Sequence, residues 1–127
     1  MPLPPLTIHT NIWLETEDGD VALSRWRMEL LENIHREGSI SAAAKAMNIQ
    51  YRLAWQRIHE MEERLGFPLV ETTIGGRGGG GACLTPQAHL LLERLTELFA
   101  AIDACAQEQG TSHLRKLERA LAEQNNP

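Results

Sequence analysis

This chain has few of the residues that mark metal centres or disulfide-stabilised folds. Its 127 residues include two cysteines, and aromatic residues make up only 5% of the sequence. Cys83 and Cys105 have no metal-ligand spacing to each other or to a histidine. We therefore expect two reduced thiols in a cytoplasmic protein that holds no metal and no cofactor.

Long apolar runs and catalytic motifs are missing as well. The apolar stretches fall far short of the ~20 residues that a membrane-spanning helix requires, so we expect no membrane contact. The opening Met-Pro-Leu-Pro-Pro-Leu lacks the basic region and the long apolar stretch of a signal peptide. No paired carboxylates, Ser/His/Asp set or Cys/His pair has motif spacing, and His59 beside Glu60 is interpreted as a surface pair. The sequence predicts no enzyme.

Positive charge is scarce overall but unevenly distributed. The formal net charge is −5, which by itself does not favour binding to nucleic acid. Residues 41–85 are the least acidic region, with five basic and four acidic side chains. The basic ones are Lys45, Arg52, Arg57, Arg64 and Arg77. This region is therefore the candidate for a DNA-binding surface.

Residues 38–66 have the pattern of two short helices joined by a tight turn. Ser39 or Ser41 can cap the first helix, and an alanine-rich run then keeps that helix thin enough for close crossing. Asn48 stands at the turn, where its tolerance of left-handed backbone is useful. The second helix places four apolar residues on one face, namely Ala54, Ile58, Met61 and Leu65. Such a helix-turn-helix can insert its second helix into the DNA major groove.

The opposite face of the second helix carries side chains suited to reading bases. Arg52 and Gln56 belong to the types that make bidentate contacts to guanine and adenine edges. The predicted DNA-contacting residues of the whole helix-turn-helix are Lys45, Gln50, Tyr51, Arg52, Trp55, Gln56 and His59. The alternative is an ordinary solvated helix face, and Trp55 has a second interpretation as a packing residue beside the first helix.

A glycine-rich hairpin is predicted to follow the helix-turn-helix. Residues 68–74 and 82–85 have the pattern of two short strands, and six glycines around Arg77 join them. Without Cβ atoms such a loop can lie close to a phosphate strand or in the minor groove. We expect contacts from Gly76, Arg77 and Gly78. A P-loop is excluded because the Gly-Lys-Ser/Thr ending is missing, whereas a plain flexible loop remains the alternative.

This chain resembles the N-terminal DNA-binding domain of the ModE-type molybdate-responsive regulators, which are related in fold to the LysR-type regulators. The resemblance rests on three runs and covers roughly residues 7–109. They are Gly38-Ser39-Ile40-Ser41, Tyr51-Arg52-Leu53-Ala54-Trp55, and the wing run from Gly75 to Thr85. It implies a homodimeric winged helix-turn-helix that binds a palindromic operator. The family's molybdate-binding barrels do not fit in the 18 residues after Gln109, so we expect no molybdate binding here.

The remaining segments complete the predicted order of elements. We expect residues 1–6 to be disordered, a strand over residues 7–15, and a return strand over residues 21–23. Ser24 can cap a helix from Arg25 to about Glu37, stopped by Gly38. The winged domain would then extend over residues 7–85.

A long helix is predicted over residues 86–109, with Thr85 as its cap and Pro86 in its first turn. Its heptad-like seam consists of Ala88, Leu91, Leu95, Leu98, Ile102 and Cys105. The seam predicts dimerisation, and a single amphipathic core helix is the alternative. Gly110 would end this helix, and residues 110–127 would form a short helix and tail.

The fold class predicted is therefore mainly α with small β: a winged helix-turn-helix followed by a long dimerisation helix. The function predicted is a homodimeric, sequence-specific transcriptional regulator of ModE type whose partner is double-stranded operator DNA. Two alternatives remain open. The module could bind protein instead of DNA, or it could be a DNA-binding subunit regulated in trans by a separate sensor chain.

Overall fold

The computed structural model describes residues 3–74 and 80–125 of the chain. Two antiparallel hairpins and four helices follow one another along these residues. Their bounds are β1 Trp13–Glu15, β2 Val21–Ser24, α1 Arg25–Glu37, α2 Ile40–Ala46, α3 Tyr51–Leu65, β3 Val70–Thr72, β4 Ala82–Leu84 and α4 Pro86–Gln124. The chain divides into two compact units, residues 12–95 and residues 3–11 with 96–125. The first unit is a winged helix-turn-helix, as predicted.

The core of the first unit is built by α1, α2 and α3. Leu30, Leu31 and Ile34 of α1 are fully buried. They belong to the same apolar cluster as Ala54 and Ile58 of α3, and the alanines of α2 complete it. Each large apolar side chain taken out of water stabilises the fold by about 1.5–3 kcal/mol. The apolar stripes predicted for α1 and α3 therefore form one shared core.

The ends of these helices follow from local signals in the sequence. The Ser24 side chain accepts from the Arg27 amide at 3.2 Å, and Gly38 ends α1 with a φ of 78°. The Ser39 hydroxyl accepts from the Ala42 amide at 3.0 Å, so Ser39 is the cap of α2. Asn48 has a φ of 55°, the left-handed conformation that the tight turn requires. These predictions are confirmed.

The predicted strand over residues 7–15 is wrong for most of its length. Only Trp13–Glu15 forms a strand, because β2 offers partners to those three residues alone. Residues 3–11 lie instead along α4 in the second unit. The Gln107 side chain donates to the Ile8 carbonyl at 2.9 Å, and Thr10 hydrogen-bonds to Asp103. Alternation in the sequence fits an extended segment, but it does not reveal that the partner is a helix.

The second unit contains an uninterrupted part of α4. Gly110 does not end the helix, which continues to Gln124. Gly110 is buried, and a Cβ added there would overlap the Cδ1 atom of Ile8. The glycine therefore serves close packing and not termination. The Leu3 amide donates to Glu118 at 2.8 Å, so residues 3–6, expected to be disordered, include an ordered contact.

Candidate nucleic-acid interface

The predicted base-reading residues lie on the exposed side of α3. Arg52 and Gln56 are exposed, whereas Ala54, Ile58 and Met61 are buried on the opposite side. Gln50 precedes the helix and makes no side-chain capping bond, so its amide is not used there. Lys45 near the end of α2 is also exposed. These four side chains can all reach a partner outside the protein.

Three aromatic rings follow one flank of α3. The Trp55 and His59 rings are stacked, with centroids 3.7 Å apart and an interplanar angle of 25°. His59 Nδ1 lies 2.8 Å from the Trp55 carbonyl oxygen. Because that carbonyl can only accept, Nδ1 carries the hydrogen and Nε2 is left for other partners. Trp55 is 44% exposed and Tyr51 is also exposed, so both rings present surface that a partner can reach.

A single carboxylate fixes α3 to the rest of the winged domain. The Glu60 carboxylate lies 3.1 Å from Arg27 of α1 and 2.7 Å from Arg57 of its own helix. Arg64 lies 3.7 Å from the same carboxylate and also donates to the Val21 carbonyl of β2 at 2.7 Å. Arg57 and Arg64, counted above as candidate DNA-facing charges, are therefore engaged in holding α3 in place.

The surroundings of Glu60 favour its ionised form. Burial raises the pKa of its carboxyl, but the hydrogen bond from Arg27 and the charges of Arg57, Arg27 and Arg64 outweigh it. The pKa of Glu60 consequently lies below its ordinary value. The ion-pair network is therefore complete at neutral pH.

A second carboxylate on α3 holds the base of the wing. Glu62 Oε2 accepts hydrogen bonds from the Leu69 amide at 2.7 Å and from the Val70 amide at 3.2 Å. Main-chain amides of this kind would otherwise be unpaired at the start of the hairpin. Glu62 thereby links the position of β3 directly to that of α3.

The wing itself is shorter in regular structure than predicted. Its strands β3 and β4 pair from Val70↔Leu84 to Thr72↔Ala82, and the Thr73 amide donates to Gly81 beyond them. The Ala82 amide donates to the Gly38 carbonyl at 2.8 Å, which anchors β4 to the turn between α1 and α2. The predicted contacts Gly76, Arg77 and Gly78 lie outside the described residues.

An open groove of about 600 Å³ separates the aromatic flank of α3 from the wing. One wall carries the rings of Tyr51, Trp55 and His59, and the other carries Thr72 and Thr73 of the wing. Ser41 of α2 lines the groove as well. The base-reading face and the wing are therefore separated by a partly apolar channel with hydroxyl groups along its sides.

The predicted dimerisation seam on α4 divides into two parts. Ala88 is buried, and Leu91 and Leu95 pack partly buried against the core of the first unit. Leu98 is 44% exposed, Ile102 is 37% exposed, and Cys105 is exposed. The first three residues support the winged domain, and only the last three present an accessible apolar face.

The scaffold around α3 contains functional side chains that the sequence reasoning missed. Glu60 follows Arg57 by three residues and precedes Arg64 by four, and this spacing was a usable signal for pairing on one helix face. The contact from Arg27 was not predictable, because 33 residues separate it from Glu60. The contact of Glu62 with Leu69 and Val70 depends on how the chain turns after Gly66.

Within residues 3–74 and 80–125, no group of three or more His, Cys, Asp or Glu side chains could hold a metal ion. Over the same part of the chain, no helix is long and apolar enough to cross a membrane. Both cysteines are unpaired thiols at exposed positions.

Comparison with known protein families identifies the winged part. A family profile described as "Bacterial regulatory helix-turn-helix protein, lysR family" matches residues 26–89, half of the chain. The match begins in α1 and ends in the first turn of α4. It therefore includes the helix-turn-helix, the aromatic flank and both strands of the wing.

Several curated proteins are similar to part of this chain. The molybdenum-pterin-binding protein MopB of Rhodobacter capsulatus is 42% identical over 78 residues, which are 61% of this chain and 27% of that protein. The molybdenum transport protein ModE of Azotobacter vinelandii is 41% identical over 90 residues, 71% of this chain and 32% of that protein. The DNA-binding transcriptional dual regulator ModE of Escherichia coli K12 is 45% identical over 76 residues, 60% of this chain and 29% of that protein. This chain thus matches about a third of the length of these relatives.

Solved structures share the fold at lower sequence identity. The DNA-binding domain of CbnR in complex with DNA superposes with a TM-score of 0.56 at 18% identity, covering 72% of this chain and 99% of that one. The DNA-binding domain of BenM in complex with catB site 1 DNA gives a TM-score of 0.52 at 21% identity, covering 70% and 93%. The fold of the matched part of the chain is therefore that of these DNA-binding domains.

Proposed function

Because the chain belongs to the bacterial regulatory helix-turn-helix proteins of the lysR family, we propose that it is a sequence-specific DNA-binding transcriptional regulator of ModE type. The observation that carries the proposal is the geometry of α3. Its core-facing side is fixed by Ala54, Ile58 and Met61, and its opposite side exposes Arg52 and Gln56. A helix held in this way can enter the major groove without losing its packing.

Different side chains would have different tasks at the DNA. Arg52 and Gln56 would read base edges, because both can form bidentate hydrogen bonds there. Lys45 would contact phosphate, which contributes affinity without sequence information. The wing segment that includes Arg77 would lie in the minor groove. Nothing in this arrangement calls for catalysis, and the proposed role is regulatory binding inside the cell.

The acidic net charge is compatible with this role because of where the carboxylates are placed. Glu60 is paired with three arginines, and Glu62 accepts two main-chain amides. Neither carboxylate needs to face a phosphate. Phosphate contacts would then come from a small number of cations, among them Lys45 of α2. We therefore expect a shallow salt dependence for one domain.

A second copy of the chain would compensate for the weak affinity of one domain. Two recognition helices about one DNA turn apart read a two-fold site, and we propose that Leu98, Ile102 and Cys105 of α4 form the contact between copies. These residues are exposed and apolar, and they follow one face of the helix. In the relatives, molybdenum appears in the protein names. We propose that this chain provides the DNA-binding part of such a system.

The experiment compares two substitutions on one operator. Arg52→Ala should weaken binding by about 1–3 kcal/mol and relax preference at one base pair, whereas Lys45→Ala should weaken all sequences alike. Fluorescence anisotropy against the operator, single-base variants and a scrambled duplex separates the two outcomes. If Arg52→Ala lowered affinity for specific and scrambled DNA by the same factor, Arg52 would not read a base.

A further inference from the structure

The aromatic flank of α3 has a position that base reading does not explain. Tyr51 and Trp55 lie on a flank of the helix and not on the side most remote from the core, where Arg52 and Gln56 are found, and the His59 ring is stacked on Trp55. They line the groove that separates α3 from the wing. A ligand in this groove would lie between the DNA groove that α3 enters and the DNA groove that the wing contacts.

The geometry of double-stranded DNA restricts what that occupant is. The major and minor grooves of a duplex are adjacent, and one sugar–phosphate strand forms the ridge between them. If α3 enters the major groove and the wing lies at the neighbouring minor groove, this ridge must pass through the space between α3 and the wing. The groove is bordered on the α3 side by Tyr51, Trp55 and His59, and its volume of about 600 Å³ is in the range of ligand sites.

We propose that this groove holds one sugar–phosphate strand of the operator, with Trp55 packed against deoxyribose and the hydroxyls of Ser41 and Thr72 donating to phosphate oxygens. The inference rests on the proposed function and goes further, since it gives Tyr51, Trp55 and His59 a role at the backbone instead of at the bases. It predicts that these aromatic residues contribute affinity without sequence preference, as backbone contacts do.

The chemistry of the groove walls fits this occupant. Ser41 and Thr72 are exposed, and neither hydroxyl forms a hydrogen bond with another of the described residues. Thr73 Oγ1 accepts from the Gly81 amide at 3.1 Å, so its own hydrogen is left to donate outward. The flat and partly exposed face of Trp55 offers apolar area of the kind that a sugar ring can cover.

The carboxylate of Glu62 lines the groove, and it would oppose a phosphate if it were unpaired. Glu62 instead directs Oε2 at the amides of Leu69 and Val70, at 2.7 and 3.2 Å. These two donors offset part of its charge and hold the carboxylate at the base of the wing. The same contact keeps the two walls of the groove at a fixed separation.

The test combines protein variants with neutral linkages in the DNA. Trp55→Ala and Ser41→Ala are compared with matched controls, Trp13→Ala on β1 and Ser112→Ala on α4, which are exposed positions outside the groove. Circular dichroism verifies folding. Binding is measured by fluorescence anisotropy to the operator, to a scrambled duplex, and to operators in which one phosphate at a time is replaced by methylphosphonate.

We expect Trp55→Ala and Ser41→Ala each to weaken binding to operator and scrambled duplex by the same factor, roughly five- to tenfold. The controls should bind as the wild type does. One or two adjacent methylphosphonates should cost the wild type about tenfold, and at one of them Ser41→Ala should cost nothing further, because the lost contact is the same.

Three results would overturn the inference. Trp55→Ala could reduce the ratio of specific to scrambled binding, which would make Trp55 a base reader. Both groove variants could bind as tightly as the controls. The third result is that the effect of Ser41→Ala is the same at every methylphosphonate position. In all three the wild type still binds the operator, whereas failure of the wild type to bind any DNA would refute the proposed function and this inference together.

Discussion

Replacing Glu60 by glutamine should remove the ion pair between α3 and α1 without disturbing the apolar core. The carboxylate lies 3.1 Å from Arg27, whose side chain is 10% exposed, while Glu60 itself is 30% exposed. Exposed ion pairs contribute about 0–1 kcal/mol, and removing one partner of a fully buried pair costs about 3–5 kcal/mol. Glu60→Gln keeps the shape but loses the charge, so we expect the free energy of unfolding to fall by about 1–2 kcal/mol at pH 7.

The same substitution should show a defined pH dependence. The pKa of Glu60 is lowered in the folded protein, so its contribution to stability is fully present above the ordinary carboxyl pKa. This contribution is lost as the pH falls through the lowered pKa of the folded state, because Glu60 then becomes protonated. The difference between wild type and Glu60→Gln should therefore be largest at neutral pH and should shrink below about pH 4.

Urea unfolding followed by circular dichroism at several pH values measures both effects. Glu63→Gln is the matched control, since Glu63 is an exposed glutamate on the same helix and makes no ion pair within the described residues. The reasoning would be refuted if Glu60→Gln were no more destabilising than Glu63→Gln. It would also be refuted if the difference persisted unchanged at acidic pH.

Two further predictions concern α4. In an Ile8→Ala background, Gly110→Ala should stabilise the protein by about 1 kcal/mol, because helix propensity acts alone there. In the wild type it should stabilise the protein clearly less, because the new Cβ overlaps Ile8. Equal effects in the two backgrounds, measured by urea unfolding in a double-mutant cycle, would contradict the packing role of Gly110. Leu98→Glu should convert the proposed dimer to a monomer in light scattering and weaken operator binding, whereas Leu117→Glu, at a similar exposure outside the predicted seam, should do neither. An unchanged mass for Leu98→Glu would remove this face of α4 from the contact between copies.

The elements predicted correctly are those whose signals are local. A capping serine, an apolar stripe of period 3.6 and a glycine at the end define α1 without reference to the rest of the chain. The same holds for the turn at Asn48, because its φ of 55° is a property of that position. Family resemblance then related these elements to a winged helix-turn-helix.

The parts that could not be predicted depend on contacts between distant segments. Residues 7–11 belong to a segment that alternates as a strand would, yet Ile8 and Thr10 have their partners, Gln107 and Asp103, on a helix. A glycine commonly follows the last turn of a helix, but Gly110 lies within α4, and Ile8 occupies the space beside it. Nothing near either segment in the sequence specifies these pairings, since each depends on a residue about a hundred positions away.

The candidate site shows the same division. The exposure of Arg52 and Gln56 follows from helical periodicity and was predicted correctly. The orientation of Trp55 over His59 and the groove beside the wing require the positions of α3, β3 and β4 together. Helical periodicity places a side chain on a face of its own helix, but it does not tell which other element borders that face.

The most direct test of the central claim is binding of the wild-type chain to DNA upstream of its own gene and of neighbouring molybdate-transport genes. Fluorescence anisotropy at two salt concentrations, with a scrambled duplex as control and with and without molybdate, provides the measurement. We predict binding that weakens as the salt concentration rises, with the shallow slope expected of few phosphate contacts, and that is clearly tighter for one upstream sequence than for the scrambled duplex. Equal affinity for upstream and scrambled DNA would contradict the account and favour a protein-interaction module, or a subunit that requires a separate sensor chain before it can read DNA.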